Sequence, residues 1–340
     1  MTDQQAETKR GLEPKFLADL NKGMLSPLLS FVKADNTLML AIRDNYINIY
    51  YRGGSILKLT WDKAQYIAIF DPNYAEPGKR SPEAEEINLT KDEKLGRIKL
   101  PHFIEKDEKI QEWLDAFPSL KRIMDKWLTK HEKLEREFQQ LVVRENNFSR
   151  LANQTDYFIV DIEAAYPDAH ARFDLLAAKW PATQQERKKD KVSLAIIEMK
   201  YGEKSLTGAT GLIEHLKNLE TLIRNPKHLQ VLRDTIALQL TQLNELGLLK
   251  HTRTENRDFE VTEEKPEVIL LLAGYPPKSQ NLRKLLEEEP TKKEFKNYAH
   301  QDAPFDLKFH WPHSAGYGLF IEDMIPLECF QERLNALKRP

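Results

Sequence analysis

Three residues in the middle of the chain have the types and spacing to do chemistry together. Asp174 leads into the apolar run DLLAA, and Glu198 and Lys200 close the run SLAIIEMKYG. On a strand, residues two apart project to one face, so Glu198 and Lys200 point together while Met199 points away. Ile196 on one side and Ala195 and Ile197 on the other make this strand apolar on both faces. A charged pair ending a buried strand is a local violation of patterning, and such violations mark function. The chemistry that suits them is phosphodiester hydrolysis. Magnesium takes a few carboxylates and keeps several waters; it polarises the phosphate and lowers the pKa of bound water. A lysine two residues from a ligand carboxylate can hold the attacking water and offset transition-state charge.

Glu-x-Lys alone carries little weight in a chain so rich in both residues, so the elements around it matter. Apolar residues at 120, 123, 124, 127, 128, 134, 138, 141 and 142 predict one helix, and steps of 100° place Glu135 between Met124 and Leu128 on its apolar side. Strands are expected over 157–165, 171–177 and 193–201. Pro167-Asp168-Ala169-His170 is short enough for a hairpin. With Asp168-Ala169 as the turn, counting outward sets Glu163 opposite Asp174, and opposed residues share a face. Ser205, Thr207 and Gly208 precede a helix bearing Leu212, Leu216, Leu219 and Ile223, with His215 on the same side. A second helix is expected from 226 to 248, and VILLLAGY reads as a strand buried on both faces.

This order resembles the PD-(D/E)XK nuclease superfamily over about residues 129–275: a helix, three antiparallel strands, a helix and a further strand. RFDLLA matches its second strand and AIIEMKYG its third. The resemblance implies that Asp174 and Glu198 are ligands of magnesium or manganese and that Lys200 is the catalytic lysine. Glu135 sits where many members have a first-helix glutamate, and His215 near where several have a glutamine. Phe173 replaces the signature proline; the literal Pro167-Asp168 falls in the turn.

The fold class expected is α/β (α+β): a restriction-endonuclease-like core with a mixed central sheet flanked by helices over 111–340, and a β-rich domain over 1–110. In the latter, LMLAIRD, YINIYY, SILKLTW and QYIAIF read as an antiparallel meander with a hairpin turn at Arg52–Ser55. The function expected is metal-dependent cleavage of nucleic acid, with DNA as the substrate and defence, restriction or repair as the setting. A homodimer would supply the paired sites that a double-strand cut needs. Arg187, Lys188, Lys189 and Lys204 are the expected nucleic-acid contacts. Two other readings stand beside this one: a nuclease-like fold that no longer cuts and serves as a binding module, and an interaction protein in which Glu198 and Lys200 are an ordinary surface pair.

Composition narrows the field. With 51 basic and 53 acidic residues the net charge is −2, so the chain does not coat nucleic acid by bulk charge. No apolar run is long enough to span a bilayer, and MTDQQAETKRG has no apolar core of a signal peptide; a cytoplasmic protein is expected. The lone Cys329 excludes an intrachain disulfide and a thiolate zinc cluster. His310 and His313 are separated by Pro312, which argues against a shared helical face and a zinc site.

Overall fold

A computed structural model describes residues 10–62, 64–75, 86–89, 98–166, 171–202, 211–251, 257–275, 280–289, 291–312 and 316–336. Two compact units emerge: Arg10–Gln140 with Gln242–Leu248, and Leu141–Thr241 with Leu249–Pro340. The division thus falls at Gln140, beyond the boundary expected at 110.

The first unit opens with two short helices, α1 (Pro14–Asn21) and α2 (Ser26–Ala34). Strands β1 (Leu38–Ile42), β2 (Tyr46–Tyr51), β3 (Gly54–Asp62) and β4 (Gln65–Ile69) follow as a meander. After the hairpin of β5 (Glu86–Leu89) and β6 (Ile98–Pro101), β7 (Phe103–Ile104) completes a sheet ordered β1-β2-β3-β4-β7. Alternation decides which face is inward: Ile47, Ile49, Leu57 and Leu59 are all fully buried. Arg52 and Gly53, at φ 49° and 75°, form the two-residue turn between β2 and β3. Positive φ at both positions gives the type I′ turn whose twist matches paired strands.

Helix α3 (Asp107–Leu128) buries Ile110, Trp113, Phe117, Leu120, Met124 and Leu128, one face at helical spacing, against β3, β6 and β7. It ends at Leu128, and α4 (Leu134–Asn147) is a separate helix. The expected single helix over 120–142 is therefore two. The break at 129–133 resets the angular phase, so the placement of Glu135 between Met124 and Leu128 does not hold.

The second unit is built on a mixed sheet. Strands β8 (Tyr157–Tyr166), β9 (Ala171–Lys179) and β10 (Lys191–Tyr201) are antiparallel neighbours. Helices α5 (Leu212–Arg224) and α6 (Pro226–Glu245) then intervene, and β11 (Glu260–Val261) pairs with the start of β10. Next, β12 (Glu267–Ala273) lies parallel to β10, as a crossover through helices allows. Helices α7 (Gln280–Glu287) and α8 (Thr291–Tyr298) lead to β13 (Asp306–His310), parallel to β12, and α9 (Leu327–Ala336) follows. Every residue of β12 is buried, the pattern of a strand covered on both faces. The fold is thus mixed α/β.

In β8, the register with β9 shifts between Ile159 and Asp161, then continues through Ile162↔Leu175 and Ala164↔Phe173. These pairs bracket Glu163 and Asp174 and place them opposite each other. The Asp168-Ala169 turn lies outside the described residues.

Candidate active site

β9 and β10 form a regular ladder from Ser193↔Lys179 to Ile197↔Leu175. The next step would pair Glu198 with Asp174, but there a side chain takes over. Asp174 Oδ2 accepts the backbone N–H of Met199 at 2.8 Å. That carboxylate satisfies a buried donor that the ladder leaves behind. Since Ile196 pairs with Leu176, the residues Asp174, Leu176, Ile196, Glu198 and Lys200 all face one side of the sheet.

This face is deeply buried: Glu198 is 1% exposed, Lys200 4% and Asp174 8%. On the other flank Glu198 pairs with Leu270 and Lys200 with Leu272 of β12, so leucines adjoin both charges. Burying two charges costs several kcal/mol per ion unless they are paired and hydrogen-bonded. Lys200 Nζ donates to Glu198 Oε1 at 2.7 Å. Helix α5 adds a second partner: His215 Nδ1 lies 2.8 Å from the same Oε1. The apolar residues Leu212, Leu216, Leu219, Leu222 and Ile223 turn α5 towards β9, and 100° steps set His215 within that arc, between Leu222 and Leu219, with 23% of its side chain exposed.

Glu198 Oε1 thus gathers two partners while Oε2, equally buried, has none among the described residues. A buried carboxylate oxygen without a partner is costly and rare in folded proteins. A cation or a hydrogen-bond donor would complete it. No family model, curated protein or solved structure matches this chain. The reading of the site rests on its own geometry.

Among the described residues no group of three or more His, Cys, Asp and Glu side chains forms a ready-made metal cage. What is present, Glu198 with an orphaned oxygen and Asp174 beside it, fits a magnesium-type ion that keeps several waters and takes one or two carboxylates.

The remaining predicted residues divide. Glu163 faces the same side as Asp174, but its carboxylate is ion-paired with Arg172, and its backbone is left-handed at φ 49°. Glu135 belongs to the other unit, half-buried near the start of α4. Lys204 and His313 lie outside the described residues. Sequence reasoning passed over Asp161 and Arg172. Asp161 is 1% exposed and, opposite Leu176, faces the site's side of the sheet, with Oδ1 accepting the Ile162 N–H. The signal was available: Asp161 precedes Glu163 by two residues, and Arg172 precedes Asp174 by two.

The expected basic patch needs correction. Lys188 and Lys189 are exposed, but Arg187 is 4% exposed and serves packing. Its guanidinium lies 4.7 Å from the Phe158 ring and 4.5 Å from that of Trp180, and donates to the Pro181 and Thr155 carbonyls. Burial pushes its pKa down to about 10, opposed by Asp156. All three residues precede β10, whereas Glu198 lies near its far end. Seven steps from Lys191 to Glu198 span about 23 Å of strand. The cluster therefore sits at the wrong end of the sheet to serve the site.

His251 packs edge-on against the same aromatic group, its ring centroid 5.4 Å from that of Trp180. Burial first, then Arg187 and Arg257, lowers its pKa to about 4. Between pH 6.5 and 4 the unfolded chain holds a proton that the folded chain refuses, so stability is intact above that window and lost as pH falls through it. The melting temperature is expected to fall across this range, and to fall less in His251→Phe. Equal slopes in the two proteins would exclude His251 as a source of acid lability.

Proposed function

We propose that this chain is a metal-dependent nuclease, hydrolysing phosphodiester bonds, of DNA in the first place, at a site built from Asp174, Glu198 and Lys200. The observation that carries this reading is Glu198, buried beside Asp174, with Oε1 held by Lys200 and His215 and Oε2 left without a partner among the described residues. The order of elements supports it too. Helix α4, antiparallel β8–β10, helix α5 and β12 parallel to β10 follow one another as the PD-(D/E)XK core would have them.

Glu198 and Asp174 would hold magnesium or manganese, which would supply Lewis acidity towards the phosphate and acidify water. The protein's own groups do the rest. Lys200 holds Glu198 in place and, as a buried cation, offsets negative charge that develops on the phosphate in the transition state. His215 fixes the same carboxylate oxygen from the helix side, which leaves Oε2 as the free ligand edge. Leu270 and Leu272 keep that flank apolar, where charge–charge interactions are stronger than in water. Among the described residues no helix is long and apolar enough to cross a membrane.

The test uses the purified chain with magnesium or manganese and, separately, single-stranded DNA, duplex DNA and RNA. Cleavage that stops on adding a chelator is expected. Survival of all three polymers overturns the reading; if duplex DNA is then bound with a steep salt dependence, the chain is a binding module on the same fold.

A further inference from the structure

The site has a rim that its three central residues leave unexplained. β9 turns Arg172, Asp174 and Leu176 to one face, so Arg172 stands one pleat repeat, about 7 Å of strand, outward from Asp174. Its side chain is 57% exposed, while that of Glu163, its partner across the hairpin, is 15% exposed. An exposed ion pair of this kind adds little to stability. Yet Glu163 makes it from a left-handed backbone at φ 49°, a conformation a residue with a side chain keeps only where its surroundings impose it, and one that clusters at functional sites. Lys200 is committed to Glu198 and buried, so it does not reach out to a polymer. Arg172 does have that reach, and its planar fork matches two phosphate oxygens.

We propose that Arg172 is a substrate-binding residue that grips the phosphate adjoining the one that is cut, leaving Glu163 for it. This rests on the nuclease reading and adds where the polymer runs: outward along β9, past Arg172. Glu163 is then the holder that keeps the guanidinium aimed before substrate arrives, and not a metal ligand.

The experiment compares wild type, Arg172→Ala, Arg172→Lys and Glu163→Gln on a single-stranded oligonucleotide over a range of salt. In Arg172→Ala, KM is expected to rise about tenfold or more, one charge-assisted phosphate contact's worth, with kcat changing by less and the melting temperature unmoved. The slope of log KM against log salt should fall by about 0.7, the counterion share of one single-strand phosphate contact. Arg172→Lys should recover part of KM, since it keeps the charge and loses the fork. Glu163→Gln keeps an acceptor that aims the guanidinium and removes the competing charge, so it should lower KM about twofold. Wild-type cleavage with an unchanged KM and salt slope in Arg172→Ala defeats the clamp and leaves the nuclease reading standing. A wild type that cuts no polymer defeats both.

Discussion

Replacing Glu198 by glutamine should reduce metal-dependent cleavage by about a hundred- to a thousandfold, the scale on which enzymes lose rate when a group stabilising transition-state charge is removed. Glutamine has the same shape, and its carbonyl can still accept from Lys200 where Oε1 now does. What changes is the second oxygen. Oε2 becomes an amide nitrogen, which cannot ligate a cation, and the negative charge that would attract one disappears. The measurement is kcat over a magnesium titration, with circular dichroism to establish that the variant is folded. Retention of more than a tenth of wild-type activity at saturating magnesium would remove Glu198 from the chemistry.

The second large effect is on stability, and its sign reverses between single and paired substitutions. Glu198→Ala takes from Lys200 the buried carboxylate it donates to, and Lys200→Ala takes from Glu198 one of the two partners of Oε1, leaving His215. Breaking a buried pair in this way costs about 3–5 kcal/mol. Replacing both at once, Glu198→Leu with Lys200→Met, removes the two desolvation penalties together and fills the space beside Leu270 and Leu272 with apolar side chains. That variant should be as stable as wild type or more so by about 1–4 kcal/mol, and inactive. Urea midpoints read both quantities. Single variants that lose less than about 1 kcal/mol would mean that the two charges are not held in a low-dielectric interior. A paired variant more stable than wild type would show that the chain maintains these charges at the expense of stability, as functional sites do.

How much of this was legible in the residues alone follows from the range of the interactions concerned. Period-2 alternation and its neighbours' apolar character were enough to set Glu198 and Lys200 together on a buried strand, because strand geometry is local. The four-strand meander from Leu38 to Ile69, the hairpin turn after Tyr51 and the helices beginning at Leu212 and Pro226 were legible for the same reason. The hairpin register that sets Glu163 opposite Asp174 needed only a turn length and counting. A break in the helix was not legible: the stripe at 120–142 keeps helical spacing across 129–133, yet the chain leaves the helix there, and Glu135 does not lie between Met124 and Leu128. Charge type was equally misleading for Arg187, since composition cannot tell an exposed cation from one sandwiched between Phe158 and Trp180.

The sequence by itself determined the types, spacing and strand placement of Asp174, Glu198 and Lys200. Only the tertiary structure decided that Asp174 reaches across to the Met199 N–H, that Lys200 and His215 share one oxygen of Glu198, and that the other oxygen is left over among the described residues. Those contacts join residues up to 25 positions apart, on different strands and a helix. Which of two chemically identical oxygens finds a donor depends on how those elements pack, and no pattern along the chain encodes it.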